Sequence, residues 1–184
     1  MKDIILDQSL LKEIISYDRI TGEFKWKPRS SKWFKGNTIG WIKFNSTFAG
    51  NVAGKKTKDG YIEITIFGKR YQAHRLAYLY EYGKLPDEDI DHIDGVKDNN
   101  SICNIREVSR SMNLQNKNRA NKNNISGILG VHYNKNSKRF ASHIGVDRKT
   151  RYLGSFDTPE EARSAYVAAK KELHPGFVDK TSAD

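Results

Sequence analysis

The chain has 184 residues, with 32 Lys and Arg against 22 Asp and Glu, a formal net charge of +10 and one cysteine. This length suits one domain or two small ones, and the positive charge favours a polyanionic partner, with nucleic acid first. The single cysteine excludes a disulfide framework and a cysteine-paired zinc site, and no apolar run approaches the roughly 18 residues of a membrane span. Because the N-terminus also lacks an export signal, we expect a cytoplasmic protein that binds no membrane.

The charge is distributed unevenly along the chain. Residues 1–73 carry a net +7, residues 74–118 a net −2 and residues 119–184 a net +5. Basic flanks can hold a phosphate backbone while central carboxylates hold a cation against it. Ordinary charge scatter is the alternative.

The first third of the sequence predicts a short helix and a hairpin strand, followed by a long loop. Apolar residues at helical spacing favour a helix over residues 8–16, and a turn at Thr21-Gly22 leads into a strand over residues 23–27. From Pro28 to Gly50 the basic, aromatic and small residues predict an irregular segment with partial strands. Its cations and rings would suit contact with a nucleic-acid backbone, and a solvated loop is the competing interpretation; the residues concerned are Lys32, Trp33, Lys35 and Lys43.

A second hairpin and a helix precede the centre of the chain. Tyr61 to Ile66 alternates isoleucine with other residues, which predicts a strand of a hairpin that turns at Gly68-Lys69. Residues 73–82 predict a helix that Gly83 ends. His74 lies at its start, with three interpretations open: it orients the helix, contacts DNA or packs.

The stretch from Ile90 to Asn116 concentrates oxygen ligands around one imidazole. It reads as a short strand, a DG turn, an Asn-rich loop, a second strand and a helix begun by Ser109. Such ligands suit Mg²⁺, and phosphodiester hydrolysis needs a base, a cation and groups that orient both. His92 is the predicted base. Asp91 points to the opposite face of a strand, so it binds a cation only if the strand ends or twists there.

Two asparagines complete the predicted site. Asn113, about one turn into the helix, offers an amide oxygen as a second ligand. Asn104 is expected to hydrogen-bond backbone across the loop and fix the strand of His92 against the helix. The pattern DHxDGxxxDNNxxxNxR, followed by an asparagine on a helix, therefore predicts a metal-assisted nuclease site.

The last third predicts a separate module. Asn113 to Asn124 holds six asparagines among cations and has no core of its own. Strands are predicted over residues 128–133, 139–146 and 150–156, followed by a helix with Thr158 as N-cap, Pro159 in its first position and Glu161 completing a capping box.

At the central motif the sequence resembles the HNH endonucleases, in the phage and intron-encoded homing type whose last histidine is replaced by asparagine. The resemblance covers most of residues 11–118, through YDRITGEFKWK, KDGYIEITIFGKRYQAHRLAYLYEYGKLP, IDHIDGVKDNN, NIREVSRSMN and LQN. It implies a ββα-metal fold around one divalent cation. His92 would be the general base, Asp91 and Asn113 the metal ligands, and Asn104 the asparagine that fixes the fold. Family members of this type cut or nick double-stranded DNA.

The C-terminal module resembles the DNA-binding domain of the plant Apetala and ethylene-response-factor (ERF) regulators, which also occurs fused to phage HNH nucleases. GVHY, KRFASHIGV, YLGSFDTPEEARSAY and AAKKEL carry the resemblance. Tyr152 stands where the plant domains usually have Trp, and His132 and His143 stand where they usually have Arg and Glu. The expected DNA-facing residues, for which a solvated basic face is the alternative, are Lys135, Lys138, Arg139, His143, Arg151 and Tyr152, with His74 from the N-terminal unit.

We therefore predict an α+β protein with an N-terminal ββα-metal (HNH) nuclease domain and a C-terminal three-stranded antiparallel sheet packed on one helix. The nuclease domain is expected over residues 1–112, with its catalytic helix running on to about 118. The Asn-rich helix end and linker fall at residues 113–124, and the Apetala/ERF-type domain at residues 125–184.

The predicted function is metal-dependent, homing-type cleavage of double-stranded DNA, with Mg²⁺ as the cofactor and Mn²⁺ as its alternative. We expect a monomer, encoded by a phage or mobile element and acting in the cytoplasm of a bacterial host cell. One rival interpretation is a DNA-binding regulator with an inactive nuclease half. Another is an RNA-binding or packaging protein, which would need neither metal nor His92.

Overall fold

The computed structural model describes residues 5–116, 120, 124–175 and 177, which fall into two compact units. The first unit ends at Val108 and the second begins at Ser109. Within the described residues, no helix combines the length and the apolar character needed to cross a membrane.

From residue 5 onward, the first unit contains three α-helices, two short 3₁₀ helices and three small antiparallel sheets. Strands β1 and β2 form one pair, β3, β4 and β5 form a three-stranded sheet in that order, and β6 and β7 form another pair. The helices are α1 Gln8–Ile14, α2 Thr38–Thr47 and α3 Ala73–Tyr82, and the strands are β1 Ile15–Tyr17, β2 Phe24–Trp26, β3 Lys55–Lys56, β4 Ile62–Ile66, β5 Lys69–Gln72, β6 Asp89–His92 and β7 Ile105–Val108.

The core of this unit follows from the two periodicities in the sequence. Leu11 and Ile14 lie three residues apart on α1, Leu76 lies on α3, and Ile64 and Ile66 alternate along β4; all five are buried. Each fully buried aliphatic side chain of this kind contributes about 1.5–3 kcal/mol to folding. The helix predicted over residues 73–82 and the alternating strand are confirmed. The helix predicted over residues 8–16 is present but ends at Ile14, because Ile15 and Ser16 pair in β1.

The prediction of an irregular segment from Pro28 to Gly50 is wrong. Ser31–Phe34 forms a 3₁₀ turn and Thr38–Thr47 forms α2, whose N-cap Asn37 accepts a hydrogen bond from the Gly40 amide. The cause is a tertiary contact. The Arg29 guanidinium lies 4.1 Å from the Phe44 ring centroid and 4.8 Å from that of Trp26, and this stack anchors a helix that local propensity leaves weak.

The second hairpin turns one residue earlier than predicted. Ile66 pairs with Lys69, so Phe67 and Gly68 are the two central residues. Both have positive φ, 49° and 79°, which is the geometry that matches the twist of flanking strands in a two-residue hairpin loop.

The second unit contains α4 Arg110–Gln115, β8 Val131–Asn134, β9 Arg139–Val146, β10 Lys149–Phe156 and α5 Pro159–Leu173. The strands form an antiparallel sheet in the order β10, β9, β8, and α5 contacts all three of them. Helix α5 begins with the capping box that Thr158 and Glu161 predict. Strand β8 starts three residues later than predicted because the chain is still in turns up to Gly130, whose φ is +76°. The predicted extension of α4 to about residue 118 reaches beyond the described residues.

Candidate functional site

The hairpin of β6 and β7 positions the first two site residues. Asp91 pairs with Arg106 and His92 pairs with Ile105. Arg106 donates to Asp91 Oδ2 from Nη2 at 3.0 Å and from Nε at 3.3 Å, and the Asp91 side chain is only 11% exposed. A cation bound at Asp91 would therefore share this carboxylate with a guanidinium.

His92 lies at the end of β6 and is 5% exposed. Its Nε2 is 3.4 Å from Oδ1 of Asn100, which is itself 2% exposed. Asn100 is held in turn, because its Nδ2 donates to the Asp98 carbonyl at 3.1 Å and its own carbonyl accepts from the Tyr17 hydroxyl at 2.7 Å. Asn100 was not among the predicted site residues, although it belongs to the Asp98-Asn99-Asn100 run of the motif.

Asn104 spans the loop between the two strands. Its Nδ2 donates to Asp94 Oδ1 at 3.0 Å and to the Asn99 carbonyl at 2.8 Å, and its Oδ1 accepts from the Asp94 amide at 3.0 Å. Its backbone carbonyl also accepts from the Ile93 amide at 2.8 Å. These bonds tie the residues that follow His92 to the start of β7.

Asp94 is the acceptor at the centre of this loop. Burial acts to raise the pKa of its carboxyl, but hydrogen bonds from the Val96 amide and from the side chains of Asn99 and Asn104 outweigh burial, and the pKa lies below its usual value. The loop is therefore built around an ionised carboxylate at neutral pH. A DG turn followed by asparagines is the sequence signal for this arrangement.

His74 lies against His92 inside the first unit. It is 9% exposed, and its ring centroid is 5.2 Å from that of His92 at an interplanar angle of 87°. The centroid of the Tyr61 ring lies 5.5 Å from that of His74 and 6.0 Å from that of His92. Burial, then the charges of His92 and Arg75, lower the pKa of His74 to about 4. Of the three interpretations of His74, this geometry favours packing and does not support direct contact with DNA.

Asn113 lies on α4 in the second unit. Ser109 caps this helix, and its Oγ accepts from the Met112 amide at 3.3 Å. No cluster of three or more His, Cys, Asp or Glu side chains suited to a metal occurs among the residues that the structure describes. By donor type alone, a carboxylate such as that of Asp91 and an amide oxygen such as that of Asn113 are ligands that Mg²⁺ accepts, because this ion is usually bound through one or two carboxylates and completed by phosphate and water.

The exposed face of the C-terminal sheet carries a row of rings. His132 and His143 stack with ring centroids 5.7 Å apart, and His143 lies 5.2 Å from Tyr152. Arg139 belongs to the same face by alternation, where it forms an ion pair with Asp157 at 3.0 Å.

The other expected DNA-facing residues lie elsewhere on this module. Arg151 pairs with the buried Ile144 and so alternates toward the opposite face of the sheet, although it is exposed. Lys135 and Lys138 are exposed in the turn between β8 and β9.

The central part of the chain, around His92, is similar to a known protein family. Residues 71–115 match the HNH endonuclease family. This HNH segment contains Asp91, His92, Asn104 and Asn113, so the expectation of an HNH endonuclease domain is confirmed there. It ends before the predicted C-terminal module.

One curated relative and one solved structure extend the comparison. The chain is 37% identical over 90 residues to DNA endonuclease I-HmuI of Bacillus phage SP01, an alignment that covers 44% of this chain and 49% of the relative. A structure described as DNA binding and cleavage by the HNH homing endonuclease I-HmuI is 27% identical, with coverage of 56% of this chain and 51% of that chain and a TM-score of 0.38. The chain thus spans about half the length of the curated relative.

Proposed function

We propose that the protein is a metal-dependent endonuclease that nicks double-stranded DNA. Its nuclease part covers residues 1–112 and its catalytic helix runs on past Asn113, residues 113–124 are the Asn-rich end of that helix and a linker, and residues 125–184 are a DNA-reading module. The observation that carries the proposal is the HNH segment, in which a buried His92 ends a strand and follows Asp91 directly. The positive net charge and the likeness to a DNA endonuclease support DNA as the substrate.

His92 is the proposed general base. It takes a proton from water, whose oxygen then bonds to phosphorus while the bond from phosphorus to one ester oxygen breaks and that oxygen gains a proton. Such a base contributes roughly 10²–10⁴ in rate. Asn100 at 3.4 Å and the His74 ring at 5.2 Å hold the imidazole, and the Asn104 hydrogen bonds hold the loop beside it.

Asp91 and Asn113 are the proposed ligands of the divalent cation, with Mg²⁺ as the first candidate and Mn²⁺ as its alternative, because both donors are hard oxygen atoms, which suit either ion. When bound, the cation neutralises charge on the phosphate and the leaving oxygen. The Arg106 guanidinium, bonded to Asp91, keeps the carboxylate oriented and adds a positive charge beside it.

The C-terminal module is proposed as an Apetala/ERF-type DNA-binding domain. The three-stranded sheet with its capped helix and the ring row of His132, His143 and Tyr152 support it. Arg139, Lys135 and Lys138 would supply phosphate contacts, which give affinity, while the ring row would face the bases. Arg151 alternates toward the opposite face of the sheet and is not included in this surface. We propose that the protein acts as a monomer in the cytoplasm of a phage-infected or element-bearing bacterium.

The deciding experiment is nicking of supercoiled plasmid by the wild type and by His92→Ala, each with Mg²⁺ and with chelator. We expect nicking that requires the metal and falls by at least about 10²-fold in His92→Ala, with DNA affinity nearly unchanged. Asp91→Asn should lose nicking, whereas Asp89→Asn, a matched change two residues away on β6, should retain it. Unchanged nicking by His92→Ala would refute the base assignment.

The alternative is a DNA-binding regulator with an inactive nuclease half. It predicts DNA binding without nicking under any metal condition, on a plasmid that contains the target site. The complete set of Asp91, His92, Asn104 and Asn113 favours the enzyme, because drift after loss of activity should have removed at least one of them.

A further inference from the structure

The segment from Lys25 to Lys58 has an unusual charge pattern. It contains nine Lys and Arg side chains and no Asp or Glu. Lys25, Lys32 and Lys56 form ion pairs with carboxylates outside the segment, namely Glu23, Glu13 and Asp98. For Lys35, Lys43 and Lys55 there is no carboxylate partner among the described residues. The segment therefore offers positive charge that the first unit itself leaves unneutralised.

Helix α2 lies in the middle of this acid-free segment and has two different faces. Its inner face is anchored: the Trp41 indole donates to the Arg29 carbonyl at 2.8 Å, the Asn45 amide donates to the same carbonyl at 3.0 Å, and Phe44 packs edge-on against Trp26. These anchors recur three or four residues apart, as one face of a helix requires.

The outer face of α2 exposes two isoleucines beside a lysine. Ile39 is 80% exposed and Ile42 is 56% exposed, and Lys43 lies one turn after Ile39. Scattered exposed apolar residues are normal on a protein surface, but a pair at helical spacing forms one patch. Because the inner face already packs on the unit, no further core contact explains these isoleucines.

We propose that the outer face of α2 is a docking surface for double-stranded DNA, on which Ile39 and Ile42 contact the apolar surface of the sugars and bases while Lys35 and Lys43 contact phosphates. This inference rests on the proposed function, since it takes DNA as the partner. The acid-free cationic segment selects a polyanion, and the isoleucine pair requires a polyanion that also presents apolar surface within a groove. Phosphate contacts alone would leave the isoleucines in water.

The two kinds of contact are separable by their salt dependence. A lysine on a phosphate releases counterions, so each such contact steepens the fall of log K with log salt by about 0.9. An isoleucine on a sugar or base releases none, so its contribution is the same at every salt concentration. This difference distinguishes the proposed surface from a merely basic one.

The test uses the full chain with chelator, so that cleavage cannot occur, and measures the affinity for a short labelled duplex across a salt series. We expect Ile39→Ser/Ile42→Ser to weaken binding about tenfold or more at each salt concentration with an unchanged slope, because two apolar side chains lose their burial. Lys43→Gln should reduce the slope by about 0.9. The matched control is Ile20→Ser, at an isoleucine that is also 80% exposed but lies outside the acid-free segment, and it should bind as the wild type does.

The outcomes separate this inference from the proposed function. Metal-dependent nicking by the wild type with unchanged affinity in the double variant would overturn the docking surface alone. A wild type that binds no duplex would overturn both. Since both isoleucines are exposed, the thermal midpoint of the double variant should match the wild type, and a folded variant with weaker binding supports the proposal.

Binding to anionic phospholipid vesicles tests the other partner class. If the wild type binds such vesicles and the double variant does not, while its DNA affinity is unaffected, the surface is a membrane surface and the proposal is overturned.

Discussion

The contribution of the buried His74 side chain to the stability of the fold depends on pH. Its imidazole is enclosed by Tyr61 and His92, and burial is the largest cause that lowers its pKa to about 4, ahead of the charges of His92 and Arg75. A histidine in the unfolded chain titrates near 6.5, so between these two pH values the unfolded state binds more protons than the folded one. The stabilisation from His74 is complete above about pH 6.5 and is lost as the pH falls toward 4.

We therefore predict that the free energy of unfolding decreases on acidification from about pH 6.5 to 4, by up to about 1.4 kcal/mol per pH unit for this one group. His74→Phe keeps a ring in the site without a titrating nitrogen, so it should flatten the profile in this window. Chemical unfolding at a series of pH values measures the slope. His132→Phe, at an exposed histidine, serves as the control and should retain the wild-type slope; an equally steep profile in His74→Phe would contradict the assignment.

Asn104 allows a graded prediction at the same scale. Its side chain makes three hydrogen bonds of 2.8–3.0 Å in the loop after His92, whereas the Asn99 side chain makes one short bond, to Asp94 at 2.7 Å, and accepts one long bond from the Ser101 amide at 3.4 Å. With each bond contributing about 0.5–1.5 kcal/mol, Asn104→Ala should lower the free energy of unfolding by about 2–4 kcal/mol and Asn99→Ala by about 1. Nicking should fall in the same order, because the loop holds the residues next to the base. Equal stability losses in the two variants would show that Asn104 does not span the loop as described.

At the scale of elements, the contact between α5 and the C-terminal sheet depends on a residue without a side chain. A Cβ at Gly130 would lie 2.1 Å from a ring carbon of Tyr166, whereas a Cβ at Gly127 would meet nothing within 4 Å. Both glycines have positive φ, +76° and +66°, so an alanine is similarly strained by the backbone at either position. Any difference between the two substitutions therefore reports packing of the helix on the sheet.

We predict that Gly130→Ala destabilises the second unit by about 1–3 kcal/mol more than Gly127→Ala, because the tyrosine ring must move out of its packed position. Far-ultraviolet circular dichroism during urea unfolding of both variants measures the difference. Similar losses of stability in the two variants would mean that the Tyr166 ring moves without an energetic penalty and that α5 is not packed closely there.

At the scale of the whole molecule, the proposed division of labour predicts the behaviour of a chain that ends at residue 124. It keeps the HNH segment and the acid-free segment, so it should still nick DNA in a metal-dependent way. Its affinity and site preference should fall, because base contacts supply specificity and phosphate contacts do not. Nicking of a randomised target library by both proteins measures the preference, and full site preference in the truncated chain would contradict the division.

Sequence patterns determined the elements whose signals are local. Four such signals predicted helices and strands that the structure contains: the capping box at Thr158, the glycine after α3, the serine before α4 and the alternation along β4. They succeed because helix capping, left-handed backbone and strand alternation depend on residues within one turn or one strand. The motif around His92 was identified in the same way, and the family match covers it.

Only the tertiary structure revealed which residues meet across the first unit. Helix α2 forms where the sequence indicated a loop, because the Arg29 guanidinium stacks on the rings of Phe44 and Trp26, and local propensity contains no sign of that contact. The packing of His74 on His92 and the anchoring of Asn100 by the Tyr17 hydroxyl likewise join residues far apart in the chain. A sequence pattern reports the face on which a side chain lies, whereas burial, ring contacts and pKa depend on what the fold brings against that face.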